Sequence, residues 1–169
     1  MQHKRQQRWA LALFAAMVSS VAVAASPVTG LSKVGSGQMD WLFFSVYDAS
    51  FYTASGRYPA EGLPQALQIT YLKDIERQHL IEATQEQWQH LGIKPDAEWL
   101  QVLAATWPSV KDGDVLTFVV QADGSNMFYL NDKALGSVQD NQFSAAFLAI
   151  WLSDKTSRPE LRQQLIGAK

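Results

Sequence analysis

Between Trp41 and Thr53 apolar side chains fall on both faces of an extended chain. One face would carry Trp41, Phe43, Ser45, Tyr47, Ala49 and Phe51, and the other Leu42, Phe44, Val46, Asp48, Ser50 and Tyr52. The second face turns polar only at Asp48. The pattern predicts one long strand over 41–53, covered on both sides along its first half. Upstream, LSKVGSG at 31–37 reads as a short strand ending in glycines. Downstream, ASGRYPAEGLP is a break rich in Gly and Pro, and ALQITYLKD at 66–74 alternates again as a third strand.

The period then changes. Leu80, Ile81, Thr84, Trp88 and Leu91 form one helical stripe that Gly92 can end. Asp96 is placed to cap a second helix, with Trp99, Leu100, Leu103 and Trp107 on its buried side and Pro108 as its stop. Turn signals at 111–114, at Asp123-Gly124 and at Asn131-Asp132 divide the next stretch into an antiparallel meander. Phe143, Ala146, Phe147, Ile150 and Trp151 recur at helical spacing. Ser157 to Glu160 has the form of a capping box with Pro159 in the first turn, and Leu161 and Leu165 face inward before Gly167. Strands, two helices, a meander and two more helices make an α+β layer, an antiparallel sheet with helices on one face.

The N-terminus is set apart from this pattern. Lys4, Arg5 and Arg8 precede the apolar run ALALFAAMVSSVAVA, and Ala22-Val23-Ala24 offers small residues before a cut. A basic start, a short apolar run and a small-residue site make a secretory signal peptide over residues 1–24, with a single domain over 26–169. The expected destination is the periplasm. The alternative, an uncleaved anchor, has a run somewhat short for a bilayer.

Cleavage changes the charge. Three of the 14 basic residues leave with the signal and all 16 acidic ones remain, so the net charge falls to −5. The remaining basic residues are scattered, which excludes a nucleic-acid surface. No cysteine is present, so neither a disulfide nor a lipoprotein-type lipid anchor forms. Stability rests on packing, for which six Trp, five Tyr and eight Phe are available.

Chemistry-bearing motifs are few. His79 and His90 are eleven residues apart, about 16 Å along a helix, too far to share a metal. Gly35 to Gly37 reads as a turn or strand bulge, not a phosphate loop, and Asp112 and Asp114 flank a turn glycine. No cofactor is expected. Tyr71 and Lys73 are two apart on a predicted strand and so share a face, with Tyr47, Tyr52 and Arg57 as further candidates. A phenol beside an ammonium suits a ligand carboxylate at the end of an apolar slot. The alternative is a satisfied core tyrosine and a lysine at the sheet edge.

The stretches VGSGQMDWLFFSVYDASFY, ALQITYLKDI, WPSVKDGDVLTF and the run from Met127 to Gly167 resemble the bacterial secreted branch of the chalcone isomerase-like family. VYDASFY and FLAIWLSDKTSRPELRQQLIG are the most specific parts. The resemblance implies an open-faced β-sandwich with an apolar cleft between sheet and helices. Plant enzymes of this fold cyclise chalcones there, and other members bind fatty acids. The plant pattern has a strand arginine, a threonine before the VY motif, and a helix tyrosine and asparagine seven apart. Aligned on Val46-Tyr47, it puts Leu42 at the threonine, Gly30 near the arginine with Lys33 the nearest cation, and His79 and Glu86, or Leu80 and Gln87, at the helix pair. Thr156 or Ser157 is a soft match for a hydroxyl after the long helix.

The expectation is a non-catalytic binder of a small apolar ligand such as a fatty acid, with Tyr47, Tyr71, Lys73 and Thr156 as candidate ligand-binding residues. The alternatives are an isomerase of intramolecular lyase type acting on another substrate, or an accessory protein of an envelope complex. No membrane span is expected after cleavage.

Overall fold

A computed structural model describes residues 25–59 and 62–168. The expected signal peptide, residues 1–24, lies outside them. The described chain forms one antiparallel sheet of six strands in sequence order. They are β1 (Ser32–Trp41), β2 (Phe44–Thr53), β3 (Gln65–Tyr71), β4 (Val115–Val120), β5 (Asn126–Leu130) and β6 (Lys133–Gly136). Helices α1 (Arg77–His90) and α2 (Ala97–Thr106) are inserted between β3 and β4, and α3 (Phe143–Leu152) and α4 (Pro159–Leu165) follow β6. This is the α+β open sheet with helices that the sequence pattern implies.

The register puts Tyr47, Ala49 and Phe51 of β2 beside Tyr71, Ile69 and Leu67 of β3, and Phe118 of β4 beside Phe128 of β5. These residues face the helices. Phe118 lies 4.8 Å and Phe128 5.2 Å, ring centre to ring centre, from Phe147 of α3. Trp88 of α1 and Trp99 of α2 complete the cluster, 5.5 Å from each other. Each such pair contributes about 0.5–1.5 kcal/mol beyond area burial. The outer face carries a polar ladder in which Tyr52 donates to Gln68 and Gln68 to Thr117, at 3.4 and 3.3 Å.

The strand expected over 41–53 is two strands. β1 runs through the glycines to Trp41, pairs Trp41 with Phe44, and reverses through Leu42 and Phe43. Leu42 takes φ +57°, the left-handed region that two-residue hairpin turns normally fill with Gly or Asn. The period-two pattern therefore ran unbroken through a turn lacking turn residues. Asn131 and Asp132, by contrast, turn as expected, with φ +48° and +67°.

Asp96 caps α2, accepting from the Glu98 amide at 2.8 Å. The expected capping box at Ser157 does not form. Arg158 is the N-cap of α4 without a side-chain cap bond, and Ser157 Oγ instead donates to Gln87 Oε1 of α1 at 2.5 Å. A contact between helices has displaced a local one.

The strand bulge at Val34 brings Gly35 against the end of α4. A Cβ there would meet the carbonyl oxygens of Gln164 and Leu165, whereas one at Gly37 would meet only the Gln164 side chain. Backbone cannot yield as a side chain can, so Gly35→Ala is expected to cost about 1–3 kcal/mol and Gly37→Ala clearly less. Urea unfolding of the two variants checks this; equal losses would contradict a tight approach of α4 to β1.

Candidate functional site

Between the inner face of β1–β3 and helices α1 and α3 lies a cavity of about 300 Å3. Ile69, Leu116, Leu80 and Phe147 line its apolar part, and Tyr47, Tyr71, Trp151 and Arg158 gather nearby along the wall. Trp41, the last residue of β1, and the exposed His79 and Glu86 of α1 also border it. Among the described lining residues, the ionisable groups beyond the two tyrosines are His79, Glu86 and Arg158.

The polar groups are held by the fold. Trp151 Nε1 donates to the Tyr47 hydroxyl at 2.9 Å, tying α3 to β2. The Tyr47 and Tyr71 rings meet edge to face at 6.3 Å. Burial pushes the Tyr47 phenol from 10.0 up to about 12, against lowering contributions from the Trp151 hydrogen bond and the Arg158 charge. Burial raises Tyr71 as well, and the neighbouring Tyr47 adds to the rise. Both phenols stay protonated at neutral pH. Because the Tyr47 oxygen already accepts from Trp151, its own O–H remains available as a donor.

Arg158 is half-buried, with its guanidinium over the Trp41 ring, 5.3 Å from the centroid. The wall thus presents a phenol O–H and a guanidinium, both suited to an anionic or strongly accepting oxygen. Neither phenol serves as a base near neutral pH. Trp107 Nε1, in a ring that also lines the cavity, is buried without a hydrogen-bond partner among the described residues.

Of the residues singled out from sequence, Tyr47 and Tyr71 line the cavity. Lys73 does not. β3 ends at Tyr71, so Lys73 sits in the bend beyond it, exposed, its ammonium 5.2 Å from the centre of the Phe44 ring. Thr156 is buried beside the site: its hydroxyl donates to the Ile150 carbonyl at 2.7 Å and accepts from the Arg158 amide at 3.3 Å. It positions Arg158 and does not itself line the cavity. Tyr52 lies under Lys33 on the outer face, and Arg57 is exposed away from the cavity. Leu42, aligned with a plant hydroxyl, is at the hairpin tip and outside the cavity.

Sequence reasoning missed Arg158. It stands in the same SRPE segment as Ser157, where the capping pattern drew attention to its neighbours. His79, aligned with the plant helix pair and too far from His90 to share a metal with it, is exposed and borders the cavity. Among the described residues no group of three or more His, Cys, Asp or Glu is placed to hold a metal, and no helix is long and apolar enough to cross a membrane.

A family model described as chalcone isomerase-like matches residues 26–167. An uncharacterized protein of Haemophilus influenzae is 28% identical over 157 residues, spanning 92% of this chain and 76% of that protein. The crystal structure of the Arabidopsis thaliana fatty-acid binding protein AtFAP1 superposes with a TM-score of 0.64 at 11% identity, covering 86% of this chain and 91% of that one.

The raised phenols carry a pH signature. Between pH 10 and about 12 the unfolded chain releases the Tyr47 proton while the folded protein keeps it. Stability from this group is full below pH 10 and falls as pH rises through about 12. Tyr47→Phe is expected to flatten the loss of stability over that window, measured by urea unfolding at stepped pH. An unchanged slope would contradict the buried, protonated phenol.

Proposed function

This chain belongs to the chalcone isomerase-like family, and we propose that it binds a small apolar molecule with an acidic or strongly accepting end, such as a fatty acid, in the cavity between sheet and helices. The observation that carries the reading is the apolar cavity of about 300 Å3 with Tyr47 and Arg158 at its wall. That volume is at the lower end of small-molecule sites, which suits a chain of modest length. The hydrocarbon is sheltered by Ile69, Leu116 and Phe147, while the carboxylate meets the Arg158 guanidinium and the Tyr47 O–H. The likeness to AtFAP1 supports this by analogy of fold. We extend the proposal to export: the residue pattern of 1–24 supports a periplasmic protein.

An isomerase acting on an unidentified substrate is the second reading. It is favoured by Tyr47, Tyr71 and Arg158 lining one cavity, since donors of this kind stabilise a developing oxyanion. It lacks the strand-motif hydroxyl, because Leu42 stands at the aligned position and outside the cavity.

Calorimetry of delipidated protein with a medium-chain fatty acid is expected to show one-to-one binding. Arg158→Gln should weaken it about 10- to 100-fold, the value of a charge-assisted hydrogen bond, while leaving binding of the matching alcohol nearly unchanged. Failure of the delipidated protein to bind any fatty acid would sink the proposal, and ring closure of a chalcone above the buffer rate, followed by absorbance, would favour the second reading. For export, N-terminal sequencing of protein from the periplasmic fraction is expected to begin near Ala25; an intact Met1 start would overturn it.

A further inference from the structure

The β1–β2 hairpin ends in four consecutive apolar residues that the fold does not cover. Trp41, Leu42, Phe43 and Phe44 are 57%, 78%, 98% and 62% exposed. Among the described residues, one other large apolar side chain is exposed, Leu63, and only to 37%. Exposed apolar surface is therefore concentrated at one projecting turn. Leu42 adds a second oddity. Its φ of +57° belongs to a position where Asn or Gly costs less and leucine contributes little packing. The side chain has no use inside the molecule that would explain it.

Two cations frame the tip. Lys73 lies over the Phe44 ring at 5.2 Å and Arg158 over the Trp41 ring at 5.3 Å. The acid nearest in sequence, Asp40, pairs with Ser45 one step back from Trp41 and Phe44. The tip is also continuous with the cavity, because Trp41 belongs to both.

We propose that this hairpin tip inserts into the headgroup–acyl boundary of a bilayer containing anionic phospholipid, setting the cavity mouth against the lipid from which the ligand comes. The proposal rests on the apolar-ligand reading of the cavity for its purpose, though not for its surface. Aromatic and leucine side chains with Lys and Arg beside them are the chemistry of interfacial binding, where rings settle at headgroup level and cations meet anionic lipid. A protein partner fits less well. A stable interface buries roughly 1,000 Å2 or more with shape complementarity, and a two-residue turn projecting from two strands is convex and narrow.

The test uses the full mature chain and vesicles of phosphatidylglycerol with phosphatidylethanolamine, compared with phosphatidylcholine alone. Flotation is expected to carry the protein with the anionic vesicles, less so at high salt, and brominated lipid should quench tryptophan fluorescence. The double variant Leu42→Asn with Phe43→Ser suits the turn and leaves the cavity lining intact. It should lose vesicle binding at least tenfold while keeping its calorimetric affinity for a dissolved fatty acid. The proposal is overturned if the natural chain ignores anionic vesicles, if the variant binds them equally, or if the tip instead drives a dimer that the variant abolishes without any vesicle binding. Vesicle binding without fatty-acid binding would sink the cavity reading and leave the docking surface standing; the reverse result would do the opposite.

Discussion

The architecture depends on the aromatic contact between Phe118 and Phe128 of the sheet and Phe143 and Phe147 of α3. This wall brings the helix layer down onto β4 and β5, and Trp88 and Trp99 extend it into α1 and α2. Toward β2 and β3 the inner face carries tyrosines whose rings meet edge to face. There the Trp151 indole of α3 is tied to β2 by its hydrogen bond to the Tyr47 hydroxyl. The cavity lies where the dense packing gives way. At the opposite margin α4 is seated on β1, and Gly35 permits that seat because any side chain would strike the helix's last carbonyls.

The electrostatic character of the cavity follows from the same placement. Desolvation keeps both phenols neutral, and the Trp151 indole occupies an acceptor position on Tyr47, leaving its proton free to point elsewhere. Thr156 closes the end of α3 through the Ile150 carbonyl and fixes the backbone of Arg158. Ser157 is committed to Gln87 across the helix pair. A cation is thus held at an apolar wall by three polar contacts of the segment that carries it.

The elements with strong periodicity were legible. The stripe of Leu80, Thr84 and Trp88, the Asp96 cap, the Asn131-Asp132 turn and the α3 stripe all stand where the pattern puts them. The hairpin at Leu42-Phe43 was not legible, because its turn has no turn residues and its apolar side chains continue the strand pattern into solvent. A separate misreading joined Tyr71 to Lys73: alternation persists in the residues after β3 has stopped pairing. Of the candidate site, the two tyrosines were visible as strand residues, whereas Arg158 was hidden in a segment that resembles a helix start.

The sequence by itself determined the layer architecture, the order of its elements and the family, because periodicity and turn chemistry are local and repeat over many residues. The tertiary structure decided where the layer stands open, which cation faces the opening and that the apolar run at Trp41 to Phe44 ends in solvent. Those outcomes depend on distances between segments far apart in the chain, such as Tyr47 and Trp151 or Gln87 and Ser157, and on where strand pairing stops. No local pattern encodes such distances; packing sets them.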